Sequence, residues 1–229
     1  MKKNDSNIKK AIKYLNNNEC IGIPTETVYG LAGNAYSDEA VSRVYKLKNR
    51  PRSNPLITHY YSINDLKKDC EIDNTFIKLY KKFCPGPISF VLKLKKKSRI
   101  SKIITNNSNS VAVRFPSHPL TRKLLKKINY PLAAPSANIS TSISPVSKQD
   151  VVDEFGLKLK FILDGGPSKV GLESTIISLI GNVLKTEKDI YDIKRNFIES
   201  NLYGVDIDSG AVDIAKLRLW LSLVIDEKS

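Results

Sequence analysis

Apolar side chains return every three or four positions at Ile8, Ala11, Ile12 and Leu15, the period of a helix with one buried face, and Asp5 or Ser6 just ahead is suited to cap it. The pattern then changes. CIGIP, residues 20–24, is short, β-branched and closed by proline, which predicts a strand, with a polar turn at residues 25–29 leading from strand into helix. Ser37, Asp38 and Glu39 open a second helix that turns Ala40, Val41, Val44 and Tyr45 inward and stops near Arg50, because Pro51 disfavours helical geometry just before it. A loop, NPL, leads into an apolar strand, LITHY. After a helix over about residues 75–83, Pro85-Gly86-Pro87 forces a turn, and Ile88, Phe90, Leu92 and Leu94 then alternate with more polar neighbours as in a half-buried strand. VAVRF, PLAAPS, FILDGG and STIISLI read as further strands, and HPLTRKLLKKI as a helix.

Strands and helices mixed in this order predict an α/β fold, a twisted mixed sheet flanked by helices. A chain of 229 residues with 41% hydrophobic and 26% charged residues suits one medium-sized globular domain, or one domain with an appendage, and this balance argues against wholesale disorder. No apolar stretch approaches the roughly eighteen residues that a membrane helix needs, and MKKNDSNIKK lacks the apolar core of an export signal, so a cytoplasmic protein without membrane partners is expected. Cys20, Cys70 and Cys84 are odd in number and widely spaced, as packed, reduced thiols would be. The net charge of +14 leaves two readings open: attraction of polyanionic partners, nucleotides or RNA, or a solvated lysine-rich surface such as Lys95 to Lys97.

Candidate chemistry narrows by elimination. The chain has no GxxxxGK[ST] loop, no GxGxxG, no HExxH and no GxSxG elbow, and His59 and His118 are its only histidines. What remains are hydroxyls, amides and fixed charges gathered where strands end: Thr25 and Thr27; Lys48, Arg50 and Asn54; His59; Ser110 and Arg114; Ser136 and Asn138; Ser144; and Asp164, Glu173, Ser174 and Thr175. Donors and cations without a covalent nucleophile suit phosphoryl or nucleotidyl transfer, where alignment and neutralisation of charge carry most of the catalysis.

Six blocks now carry a resemblance. PTETVYGL, KNRPRSNPLITH, PGP before an alternating strand, VAVRFPSHP, AAPSANISTSISP and DGGPSKVGLESTII resemble, in order, the YrdC-like threonylcarbamoyl-AMP synthase family over residues from about 8 to about 180. The resemblance implies a YrdC-like fold with an open concave site over residues 1–185. It also implies synthesis of threonylcarbamoyl-AMP and pyrophosphate from L-threonine, bicarbonate and ATP, with Mg2+ accompanying ATP and no dedicated metal cage. A separate enzyme is expected to transfer the group to tRNA. By the same carry-over Lys48, Arg50, Ser136 and Asn138 form the catalytic set. ATP is assigned to Arg50, Asn54, Ser110, Ser136, Asn138 and Ser144, and threonine to Thr27, His59, Arg114, Ala134 and Ser174. Glu26 is left between a ligand-holding role and that of a helix-start carboxylate.

The pattern breaks near the end. Lys185-Thr186-Glu187 stands where the family has an Arg-Pro-Gly segment, and lysine cannot reproduce the two-pronged arginine fork. Residues 201–226 resemble a fragment of adenine-specific DNA methyltransferases, with Asp206 at the ribose-binding position for S-adenosylmethionine but without the glycine-rich loop or catalytic motif, so residues 186–229 are expected to form an atypical appendage. Two alternatives to the synthase follow: a module that binds tRNA or other structured RNA without turnover, and an inactive remnant.

Overall fold

The computed structural model describes residues 2–140 and 142–180. Helix α1 (Lys2–Asn16) begins before the caps expected at Asp5 and Ser6; Asp5 lies inside the helix, where an acid still faces the positive dipole end, and pairs with Lys123 at 2.7 Å. Strands β1 (Ile21–Ile23) and β2 (Gly30–Asn34) pair antiparallel, Ile21 opposite Ala32 and Ile23 opposite Gly30. Residues 25–29 are therefore a turn between two strands, which corrects the expected strand-to-helix junction. The next helix, α2 (Asp38–Lys48), starts where Ser37 Oγ accepts from the Ala40 amide at 3.2 Å and ends at Asn49 in the left-handed region (φ 50°), ahead of Pro51.

Beyond it come β3 (Ile57–His59), a short α3 (Ile63–Leu66), α4 (Asn74–Phe83), β4 (Ile88–Lys93), β5 (Ser110–Arg114), α5 (Pro119–Lys127), β6 (Leu132–Ala133), α6 (Lys148–Phe155) and β7 (Thr175–Ser178). FILDGG makes only an isolated bridge between Gly22 and Ile162, so it does not form the expected strand. Helix α6 had no counterpart in the sequence pattern, although Ser147 and Asp150 form a reciprocal capping box at its start.

The sheet is mixed, in the order β1-β2-β6-β3-β5-β4-β7, with β3 parallel to β5, β4 parallel to β7 and the other pairs antiparallel. Ile8, Ala11 and Leu15 of α1 pack with Leu124 and Leu125 of α5 against Ile21, Ile23 and Leu132. A second cluster gathers α2, α4 and α6 through Val41, Val44, Phe76, Leu79 and Phe155 around Phe90 and Val113, with Phe76 edge-on to Phe90 at 5.2 Å. Cys20, Cys70 and Cys84 are free thiols, each pushed up to about 12 by burial. Among the described residues no helix is long and apolar enough to cross a membrane.

Candidate functional site

The site grows from the turn after β1. Pro24 ends the strand, and the Thr25 hydroxyl donates to the Val28 carbonyl at 2.6 Å while accepting the amides of Thr27 and Val28. Because its single hydrogen is committed, Thr25 accepts from the Thr27 hydroxyl 2.9 Å away. Thr27 in turn accepts from Arg114 Nη2 at 2.8 Å. The two hydroxyls thus differ: Thr25 shapes the turn, whereas Thr27 holds a cation.

Residues 165–171 close over this turn. Ser168 donates to the Thr25 carbonyl, Val170 and Gly171 donate their amides to the carbonyls of Glu26 and Thr27, and the Tyr29 hydroxyl bridges Gly165 and Gly166. Gly165 is required by space, since a Cβ there would stand 2.6 Å from both His118 Cε1 and Pro24 Cγ.

Register decides what faces the turn. Residues paired across a sheet place their side chains on the same face. His59 pairs with Arg114 and Arg114 with Ser89, which sets β3, β5 and β4 in one row, and Ser89 Oγ lies 2.8 Å from Ser174 Oγ. The Arg114 guanidinium, only 4% exposed, also donates to Glu26 Oε1 at 2.8 Å, and Glu26 Oε2 accepts the Ser117 amide at 2.9 Å. Burial alone would raise the Glu26 carboxyl, but the Arg114 charge and these donors outweigh it and hold it below the usual carboxylate range. His59 Nδ1 and Arg114 Nε are buried without a partner among the described residues.

The second half is a loop locked by Lys48. Its ammonium, 1% exposed, donates to the carbonyls of Ser136 (2.6 Å) and Asn138 (2.5 Å) and to Asn138 Oδ1 (3.1 Å), while Asn138 Nδ2 donates to the Ser142 carbonyl. Burial, with help from the Arg50 charge, lowers Lys48 to about 8, which leaves it charged at neutral pH. All three ammonium hydrogens are therefore used inside the protein. Arg50 turns its guanidinium back to the Asn54 and Pro55 carbonyls at 3.1 Å each, and Ser144 donates to Glu173 at 2.7 Å. A groove of about 540 Å³ lined in part by Arg43, Lys46, Arg50 and Arg52 runs beside α2, but shares only Arg50 with the candidate residues.

The structure thus divides the candidates. Thr27, His59, Arg114 and Ala134 are buried, whereas Arg50, Ser110, Ser136, Ser144 and Ser174 are half-exposed and Asn54 is exposed. Ser110 shares a face with Arg114 but lies four residues earlier on β5, about 13 Å along the strand. Ser89 and Ser117 join the site through contacts that lack a sequence signal, and Glu26, left open by the sequence, pairs with Arg114 in a turn between strands rather than starting a helix. Among the described residues no group of three or more His, Cys, Asp or Glu is placed to hold a metal ion.

A pH signature follows. Burial, then the Arg114 charge, holds His59 well below its ordinary 6.5, so the folded protein keeps it neutral where the unfolded chain protonates. The stability this preserves is complete above pH 6.5 and drains away as pH falls below it, at up to about 1.4 kcal/mol per pH unit. Thermal midpoints measured between pH 7.5 and 5 are expected to fall on the acid side, and to fall less steeply in His59→Gln.

Comparison with known proteins places the chain in a family. Residues 13–187 match the family described as telomere recombination, which groups Sua5, YciO and YrdC. The chain is 41% identical over 173 residues to threonylcarbamoyl-AMP synthase of Pyrococcus abyssi, covering 75% of this chain and 50% of that protein. Against threonylcarbamoyl-AMP synthase of Bacillus subtilis it is 36% identical over 211 residues, 92% of this chain and 60% of the relative. The chain spans only half to three fifths of the length of these two relatives. In structure it is similar to P. abyssi Sua5 complexed with L-threonine, with a TM-score of 0.73 and 40% identity over 76% of this chain and 51% of the other.

Proposed function

Because the chain belongs to the Sua5, YciO and YrdC family, we propose that it is a threonylcarbamoyl-AMP synthase, joining L-threonine, bicarbonate and ATP with release of pyrophosphate. The observation that carries this reading is the pair of unpartnered buried atoms, His59 Nδ1 and Arg114 Nε, on residues that face each other in the sheet. A buried polar atom left unpaired costs about 1 to 3 kcal/mol, and a small polar ligand would relieve two such costs at once.

In this proposal Arg114 receives the threonine carboxylate. His59 meets the hydroxyl, Thr27 acts by steering Arg114, and Ala134 and Ser174 border the substrate. The threonine amine, after losing a proton, attacks the bicarbonate carbon and water leaves; the resulting carbamate oxygen attacks the α-phosphorus in line as pyrophosphate departs. This scheme needs no protein nucleophile. Arg50, Asn54, Ser110, Ser136 and Ser144 hold ATP at the open end. Lys48 and Asn138 shape the loop that presents Ser136, and the buried ammonium adds a positive field to it. Magnesium enters with ATP, held by phosphates and water.

Residues 1–185 form the catalytic unit in this reading, supported by a family match that ends at residue 187. Lys185-Thr186-Glu187, the appendage 186–229 and the methyltransferase-like segment lie outside the described residues. A tRNA-modifying transferase is the proposed consumer of the product. The test is pyrophosphate release from ATP by the purified chain: it is expected only when threonine and bicarbonate are both present. Threonine-independent release would overturn the assignment, and tight RNA binding without release would favour the alternative suggested by the charge, 30 Lys and Arg against 14 Asp and Glu in residues 1–180.

A further inference from the structure

Among the described residues Glu26 and Asp69 are the buried carboxylates. Glu26 is held on three sides: Arg114 Nη2 and the Ser117 amide bond its two oxygens, and its own carbonyl accepts from Val170. Arg114 Nη2 has two hydrogens, one committed to Glu26 and the other to Thr27. Glu26 therefore fixes the plane of the guanidinium, and with it the direction of the unpartnered Nε.

Charge adds a second consequence. Glu26 and Arg114 together are neutral, and the adjacent His59 is neutral too. Beside α2, Arg50 and Arg52 line a groove with Arg43 and Lys46, a cationic surface suited to phosphates, and the buried Lys48 lies two residues from Arg50 in sequence. A zwitterionic amino acid that reaches Arg114 can pair its carboxylate with the guanidinium and keep its ammonium clear of Glu26. A multiply charged phosphate approaching Arg114 meets a guanidinium whose charge is already offset by the Glu26 carboxylate 2.8 Å from Nη2, and is repelled.

We propose that Glu26 is a specificity-determining positioning residue: it aims Arg114 at the amino-acid carboxylate and excludes inorganic polyanions from the threonine end, so the two anion-recognising ends of one site do not exchange ligands. This rests on the assignment of Arg114 to threonine. Acting through Arg114, Glu26 touches no reacting atom.

The test compares wild type with Glu26→Gln, which keeps the shape and removes the charge, by following threonine-dependent ATP consumption with sulfate as the competing anion. In wild type, sulfate is expected to compete with ATP and to leave the threonine KM unchanged. In Glu26→Gln the threonine KM rises about tenfold or more, the ATP KM and kcat at saturation stay within about threefold, and sulfate becomes competitive with threonine. An unchanged threonine KM with no sulfate competition overturns the inference. Failure of the underlying assignment looks different, because wild type itself would then show no threonine dependence. Should Glu26→Gln not fold, Glu26→Asp decides: the retained charge must still exclude sulfate while the shorter reach raises the threonine KM. Sulfate competition against threonine in that variant, or an unchanged KM, refutes the role.

Discussion

Replacing Lys48 with methionine is expected to destabilise the protein by about 2 to 4 kcal/mol and to abolish threonine-dependent pyrophosphate release. Methionine fills a similar volume, so packing alone predicts a mild effect. The chemistry predicts otherwise, because the Ser136 and Asn138 carbonyls and Asn138 Oδ1 all receive hydrogens from this one ammonium. Without it, three acceptors lose their donor and the loop carrying Ser136 and Ser144 keeps only the Ser140 amide bond to the Lys48 carbonyl as its tie to α2. Lys48→Arg is expected to fail as well, since a planar fork cannot reach three acceptors grouped around a point charge. Urea unfolding measures the first effect and the pyrophosphate assay the second. A normal midpoint with normal turnover would show that the loop is ordered by something other than Lys48.

The second large effect is expected at Arg114. Arg114→Met leaves Glu26 buried without its counter-charge, a loss of about 3 to 5 kcal/mol near neutral pH. The pH dependence should reverse. In wild type the Glu26 carboxyl sits below its ordinary 4.5, so its contribution is present above that value and is lost as pH falls through the folded pKa. Once Arg114 is gone, burial raises the carboxyl instead: stability is then fullest below 4.5 and is lost as pH rises. Adding Glu26→Gln to Arg114→Met is expected to restore most of the lost stability but none of the threonine-dependent activity. Unfolding midpoints of the two single variants and the double variant, at pH 4.5 and 7.5, close the cycle. Additive losses in the double variant would show that the two side chains do not act as a pair.

The parts of the fold that could be read from the chain are those governed by nearby residues. Ser37 caps α2, Pro51 limits it, and the alternation of Ile88, Phe90 and Leu92 sets the buried face of β4, all through interactions spanning a few positions. Helix α6 escaped because its inward residues, Val151 and Phe155, form too short a stripe to establish a period. FILDGG was misleading for the converse reason: its apolar run looks like a strand, but only Ile162 bridges to Gly22. The turn at residues 25–29 was misread because its hydroxyls suit a helix start as well as a closed turn, and only the pairing of β1 with β2 distinguishes them.

Local pattern also marked the candidate residues, and the ordered blocks from PTETVYGL to DGGPSKVGLESTII placed the chain beside a known family. What these side chains bond to was decided by tertiary structure alone. Lys48 meets Asn138 across 90 positions and Arg114 meets Glu26 across 88, distances over which helix and strand periods carry no information. Caps and alternation follow from forces between neighbours in sequence. Which donor is saturated and which stays unpaired depends on how strands register and loops close, and that is settled only when the sheet assembles.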